Sequence, residues 1–111
     1  HGDDLIYEAP LSFVQAALGD EIEIPTLDKK IRLKIPEGTQ PGERFRVKAK
    51  GIPRIRGYGR GDLHVIARVL VPKKLNDKQK EILKSFAKAG GEDVKEASKG
   101  IFDKVKDAFG V

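Results

Sequence analysis

The 111-residue chain carries 22 Lys and Arg against 17 Asp and Glu, 39% hydrophobic residues and no cysteine. That length supports one domain with a core plus an appendage, and the mix of apolar and charged residues is that of a soluble folded chain. Disulfides and thiolate metal sites are excluded, no apolar run approaches the roughly 20 residues a membrane helix needs, and no basic-flanked apolar leader is seen, so a reducing cytoplasm is the expected compartment.

The net charge of +5 hides an asymmetry: residues 1–28 hold seven acids and no Lys or Arg, residues 29–60 hold eleven bases against two acids, and residues 61–111 contribute +3. In chain order, the first element is a strand over residues 4–11. Leu5, Tyr7, Ala9 and Leu11 share one phase, and Pro10, which cannot donate to a ladder, places the strand at a sheet edge. The period then changes. Ser12 with Gln15 forms a capping box and Gly19 offers a left-handed stop, which predicts a short helix burying Phe13, Ala16 or Ala17, and Leu18. Ile22 and Ile24, then Ile31, Leu33 and Ile35, alternate with charged residues on either side of a turn at Asp28-Lys29, which predicts a hairpin.

Pro41-Gly42 has the residues of a type II turn, with φ fixed at the first corner and positive φ allowed at the second. Phe45, Val47 and Ala49 give a further strand. Residues 51–61, with four glycines and three arginines, break all periodicity and lack the GK[ST] of a phosphate loop, so they read as an exposed loop. Leu63 to Val71 is the most apolar strand, expected at the sheet centre and ended by Pro72. Residues 75–90 form the strongest helix, with Asn76 as N-cap, Gly90 just past the end, and an apolar stripe of Ile82, Leu83, Phe86 and Ala87. A polar stretch over 90–100 leads to a second amphipathic segment, where Ile101, Phe102, Val105, Ala108 and Phe109 share a face. Isolated helices below about 12–15 residues seldom persist in water, so this tail needs a surface to lie on.

The fold class expected is mainly β: a small β-sandwich with a short inserted helix, followed by C-terminal helices. Nothing points to an enzyme. His1 is terminal and His64 lies within an alternating strand; Asp3-Asp4, Asp20-Glu21 and Glu92-Asp93 sit without a metal-loop pattern and read as solvation. The basic block alternates with apolar residues at Lys30, Arg32, Lys34, Arg44, Arg46, Lys48 and Lys50, as the solvated face of strands does. The rival reading is nucleic-acid binding through Arg54, Arg56 and Arg60 with Tyr58 stacking, which is disfavoured because only one aromatic is interleaved there. Ile82, Leu83, Phe86, Ile101, Phe102, Val105 and Phe109 offer more apolar surface than a small β domain covers, so they are the expected dimerisation residues. The alternative is a tail folded back on its own domain.

Taken in order, Gly2-Asp-Asp-Leu5, Pro10-Leu-Ser-Phe13, Ala16-Ala-Leu-Gly19, Ile24-Pro-Thr-Leu27, Leu33-Lys-Ile-Pro-Glu-Gly-Thr-Gln40, Gly42, Phe45-Arg46, Lys50-Gly51, Gly59-Arg-Gly-Asp-Leu63, Val71-Pro72 and Leu75 resemble the second C-terminal domain and dimerisation segment of DnaJ-type J-domain cochaperones. The resemblance covers essentially the whole chain. It implies a β-rich client-binding domain over residues 1–72, a helix over 73–90, and a linker and dimerisation tail over 91–111. The implied partners are a second copy of the chain, unfolded or partly folded client proteins, and a DnaK-type chaperone reached through the full-length protein. Candidate client-binding residues are Phe13, Phe45, Ile52 and Ile55, in a shallow apolar groove or at a free strand edge. No His-Pro-Asp tripeptide and no Cys-x-x-Cys-x-Gly-x-Gly occurs, so the resemblance is to a C-terminal fragment that neither activates an ATPase nor binds zinc or another cofactor. Asp28-Lys29-Lys30 has Lys where the family commonly has Gly, which leaves the hairpin type open.

Overall fold

The computed structural model describes residues 2–54 and 59–94. In chain order its elements are β1 (Leu5–Ser12), α1 (Phe13–Leu18), β2 (Asp20–Ile24), β3 (Ile31–Ile35), β4 (Arg44–Val47), β5 (Leu63–Leu70) and α2 (Asp77–Ala89). One compact unit ends at Pro72 and a second begins at Lys73.

The first unit is a small sandwich. One sheet has the order β1-β5-β4 and the other is the β2-β3 pair. β5, the most apolar strand, is central, and β1, which contains Pro10, is at the edge, as the sequence predicts. β1 runs parallel to β5 in continuous register from Leu5↔Leu63 to Ser12↔Leu70, while β4 is antiparallel to β5 with Phe45 opposite Val65. The period-2 phases supply the core. Ala9, Leu63 and Val65 from the larger sheet meet Ile24 from the smaller one, and Leu11 and Ala67 meet Ile35; Leu5, Tyr7, Ile22, Ile31, Leu33, Phe45 and Val47 pack around them. Leu11, Ile24, Ile35 and Val65 are fully buried, and burying side chains of this size contributes roughly 1.5–3 kcal/mol each.

α1 has its expected capping box: Ser12 Oγ accepts from the Gln15 N–H at 3.0 Å and Gln15 Oε1 accepts from the Ser12 N–H at 3.0 Å. Its packing differs from expectation. Only Ala16 is buried, while Phe13 is 40% and Leu18 68% exposed and Ala17 is exposed too. A six-residue helix has room for one inward row, and this one is held by its backbone instead. The Ala16 and Ala17 carbonyls accept from the Thr39 N–H at 2.9 Å and the Gly38 N–H at 3.2 Å, and buried Thr39 donates through Oγ1 to the Pro36 carbonyl at 2.7 Å. Gly19 has φ of 81° but ψ of 156°, so it leaves the helix extended rather than left-handed. A Cβ there would stand 2.8 Å from the Ile35 carbonyl oxygen.

Three turns refine the sequence reading. The β2–β3 ladder ends at Ile24↔Ile31, so residues 25–30 form a loop rather than a tight turn at Asp28-Lys29. Thr26 organises it, its Oγ1 accepting from the Asp28 and Lys29 N–H groups at 3.2 and 3.1 Å and donating to the Lys29 carbonyl. At Pro41-Gly42 the type II turn forms, with Gly42 at φ of 84° and the Glu43 N–H reaching the Gln40 carbonyl at 3.1 Å. β4 stops at Val47, because Ala49, expected to continue it, takes φ of 60° to aim its N–H at Asp62.

In the second unit α2 begins with a capping box in which Asn76 Oδ1 accepts from the Gln79 N–H at 2.8 Å. Gly91, not Gly90, takes the positive φ beyond the helix, and the Gly91 and Glu92 N–H groups cap the Lys88 and Ala87 carbonyls at 3.0 and 2.8 Å.

The glycine-rich loop is anchored against the start of β1. The Gly51 N–H donates to the Gly61 carbonyl at 2.8 Å, the Gly61 N–H to the Ile52 carbonyl at 3.0 Å, and the Ile52 N–H to the Asp3 carbonyl at 2.7 Å. A Cβ on Gly61 would lie 2.2 Å from the Asp3 carbonyl oxygen, and one on Gly51 would lie 2.5 Å from it. Gly61→Ala therefore lowers the unfolding free energy in urea denaturation by about 3 kcal/mol, the upper end of overpacking costs. Ser12→Ala, which removes only the α1 cap, costs about 1 kcal/mol in the same measurement.

Candidate interaction surfaces

The carboxylates and the histidine that might have formed a catalytic group hold the fold together instead. His64 Nε2 lies 2.9 Å from Asp4 Oδ2, and Asp4 Oδ1 accepts from the Asp62 N–H at 2.7 Å. Asp62 in turn accepts from the Ala49 N–H at 2.9 Å through Oδ1, and from Arg46 Nε at 2.6 Å and Nη2 at 2.5 Å through Oδ2. Asp4 is thus an acceptor joining β1 to β5, which corrects its reading as a solvated acid. His64 is largely covered, with Nδ1 buried and without a partner. Among the described residues no group of three His, Cys, Asp or Glu is placed to hold a metal ion.

The charge asymmetry along the chain becomes pairing in space. Arg32 lies 3.9 Å from Glu21, Arg54 4.0 Å from Asp3, Arg60 2.5 Å from Asp28 and Arg68 4.0 Å from Glu8, so acids of residues 1–28 meet bases that follow them. Exposed pairs of this kind add little stability each, but they partly neutralise the basic block. Arg32, Lys34, Arg44, Arg46 and Lys48 are exposed, as strand-face residues should be. Arg56 and Tyr58 lie outside the described residues.

Two helices carry exposed apolar side chains, and Ile6, Leu27, Ile52, Leu70, Val71 and Val94 are exposed outside them. At the first, Phe13, Val14 and Leu18 of α1 are exposed, and an open groove of about 510 Å³ is lined by Leu18, Gly19, Asp20 and Glu21 on one side and Lys34, Ile35, Pro36 and Glu37 on the other. Among the described residues β2 and β3 form a two-stranded sheet, so each has one edge without a strand neighbour. Of the residues singled out in the sequence, Phe13 is 40% exposed at the start of α1, Ile52 is 40% exposed on the glycine-rich loop, and Phe45 is half-buried against both core clusters. Ile55 lies outside the described residues. Leu18, expected in the core, is exposed instead; the signal available was the shortness of the segment between Ser12 and Gly19, too short to turn three apolar residues inward.

The second is α2, where Ile82 is 55% and Phe86 61% exposed, Leu83 is half-buried and Ala87 is buried. Ile101, Phe102, Val105 and Phe109 lie outside the described residues. Among the described residues no helix is long and apolar enough to cross a membrane.

The family model described as DnaJ C terminal domain matches residues 1–72. The chain belongs to the DnaJ C-terminal domain family. A further model, described as Chaperone protein DnaJ C-terminal region, matches residues 78–111. Chaperone protein DnaJ of Listeria monocytogenes serotype 4a (strain HCC23) is 59% identical over 107 residues, covering 96% of this chain and 28% of that protein. Chaperone protein DnaJ of Geobacillus thermodenitrificans (strain NG80-2) is 60% identical over 109 residues, covering 97% of this chain and 29% of that protein. The chain thus spans less than a third of the length of these curated relatives. Their name is that of a chaperone rather than an enzyme, in line with the non-catalytic reading of the sequence. Three of the DnaJ-like motifs, Gly2-Asp-Asp-Leu5, Lys50-Gly51 and Gly59-Arg-Gly-Asp-Leu63, meet in the anchored loop, and residues 36–39 of a fourth, Leu33-Lys-Ile-Pro-Glu-Gly-Thr-Gln40, cap the end of α1.

The Asp62 N–H, and then the His64 ring, hold the Asp4 carboxyl below the usual carboxylate range; the Ala49 N–H, and then Arg46, do the same for Asp62. A carboxyl depressed on folding contributes stability that is full above its unfolded value and lost as pH falls through its folded value. Unfolding followed by circular dichroism should therefore show stability falling as the medium is acidified through and below the ordinary Asp range. Asp62→Asn should be less stable than the parent at neutral pH and should lose less on acidification.

Proposed function

We propose that this chain is the client-holding and self-associating end of a DnaJ-type cochaperone, acting by binding and without a cofactor or catalytic step. The observation that carries the proposal is the strand edge of the β2–β3 hairpin, open beside a groove with exposed Leu18, in a chain of this family. Non-native polypeptides differ from folded ones in offering apolar side chains on a backbone free to pair. An edge of this kind takes both, the backbone adding as a strand while side chains enter the groove. Phe13 and Ile52, each 40% exposed, and half-buried Phe45 are further candidate client contacts outside the groove lining.

Residues 1–72 hold clients, 73–90 form the connecting helix, and 91–111 are the linker and dimerisation tail. Self-association uses Ile82, Leu83 and Phe86 with Ile101, Phe102, Val105 and Phe109. Two weak sites on one dimer act on one unfolded chain at high effective concentration, which raises avidity by about 10²–10⁴ without new contacts. Delivery to a DnaK-type chaperone in the cytoplasm belongs to the longer protein. A dimerising spacer without client binding leaves the exposed groove unexplained. Nucleic-acid binding is weakened by the ion pairs that occupy Arg32, Arg46, Arg54 and Arg60.

The test compares the intact chain with one lacking residues 100–111, using sedimentation and the light scattering of a chemically denatured client. The intact chain should be a dimer at micromolar concentration and suppress aggregation; the shortened one should be a monomer and need at least about tenfold more protein for the same effect. A monomeric intact chain, or equal suppression by both, contradicts the self-association; no suppression by either contradicts client holding.

A further inference from the structure

The charges around the β2 edge are sorted. The outward-facing residues of β2 are Glu21 and Glu23, and those opposite them on β3 are Lys34 and Arg32. Glu21 is satisfied in part by Arg32 at 3.9 Å, and Asp20 by the Gln15 side-chain amide at 3.1 Å. Among the described residues Glu23 and Glu37 pair with no base. The groove itself is lined by three acids, Asp20, Glu21 and Glu37, against the single base Lys34, while exposed Leu18 and Pro36 give it apolar walls. An acidic, apolar cleft therefore lies in a chain whose overall charge is +5.

We infer that the groove and β2 edge select extended polypeptide segments in which apolar side chains alternate with Lys or Arg. This inference rests on the client-holding reading and names which clients that site takes. A segment paired with β2 keeps the strand period of two, so its residues divide between two faces. One set lies beside half-buried Ile22, near exposed Leu18, and is best apolar. The other lies beside Glu21 and Glu23, at the roughly 5 Å separation where opposite charges across strands attract and like charges repel. An acidic segment would place like charges in that row. A merely apolar one would leave Glu37 without a counter-charge and Glu23 with only Arg32, its cross-strand neighbour on β3.

The bulk charge makes the test discriminating, because a chain of +5 attracts acidic peptides wherever no local site intervenes. Fluorescently labelled nonapeptides alternating Leu with Lys, Leu with Glu and Leu with Gln are titrated with the intact chain by anisotropy, with capture of a denatured client measured alongside. The Lys peptide is expected to bind about tenfold more tightly than the Glu peptide at low salt, as a few cross-strand charge pairs allow, with the gap narrowing as salt rises. The double variant Glu23→Lys, Glu37→Lys should reverse that order, and Leu18→Ser, a change at an exposed position, should weaken all three peptides. A preference of the intact chain for the Glu peptide overturns the inference, since bulk charge or the basic β3 edge would then govern binding. Equal binding of all three, with the denatured client still captured, overturns it while leaving client holding intact. Absence of both peptide binding and client capture removes the client-holding reading and this inference with it.

Discussion

The carboxylate of Asp62 is the contact on which the sandwich depends. It receives the Ala49 N–H and the Arg46 guanidinium, while the backbone of the same residue donates its N–H to Asp4 and accepts from Leu5. One residue thereby fixes the end of β4, the return of the glycine-rich loop and the start of both β1 and β5. β1 and β5 are parallel neighbours separated by most of the domain, and pairing strands so far apart carries a loop-closure cost that local propensity does not offset. Gly51 and Gly61 serve the same junction by letting backbone pass against the Asp3 carbonyl where no side chain fits.

Local signals in the sequence reach as far as local physics does. Ser12 with Gln15, Asn76 as N-cap, Pro41-Gly42 and the phases of Leu5, Tyr7, Ala9 and Leu11 all read directly, because each depends on residues a few positions apart. Pro10 even placed its strand at an edge, since a missing N–H restricts topology as well as conformation. What did not read were effects with a distant cause. Ala49 leaves the β region because Asp62 draws its N–H, and the Asp3-Asp4 pair looked like solvation until Asp4 met His64 and the Asp62 amide. Leu18 looked like core because nothing local said that the Pro36–Thr39 loop would hold α1 by its carbonyls.

The same reasoning separates the sheet edges. β1 is blunted by Pro10, and β4 is only four residues long, two common ways of keeping foreign strands away. β2 carries neither device; its protection is charge, from Glu21 and Glu23. A proline denies a ladder hydrogen bond to any strand, whereas a row of acids repels acidic strands and favours those that bring a complementary charge. On the proposed reading, such an edge repels the β2 edge of another copy, which carries the same charge, while remaining open to an unfolded chain.

Residue-resolved amide hydrogen exchange of the intact chain, with and without a permanently unfolded client, tests that account most directly. Amides of β2 should gain protection on client addition while those of β1 and β4 stay as they were. Protection appearing at β1 or β4 with β2 unchanged would contradict it.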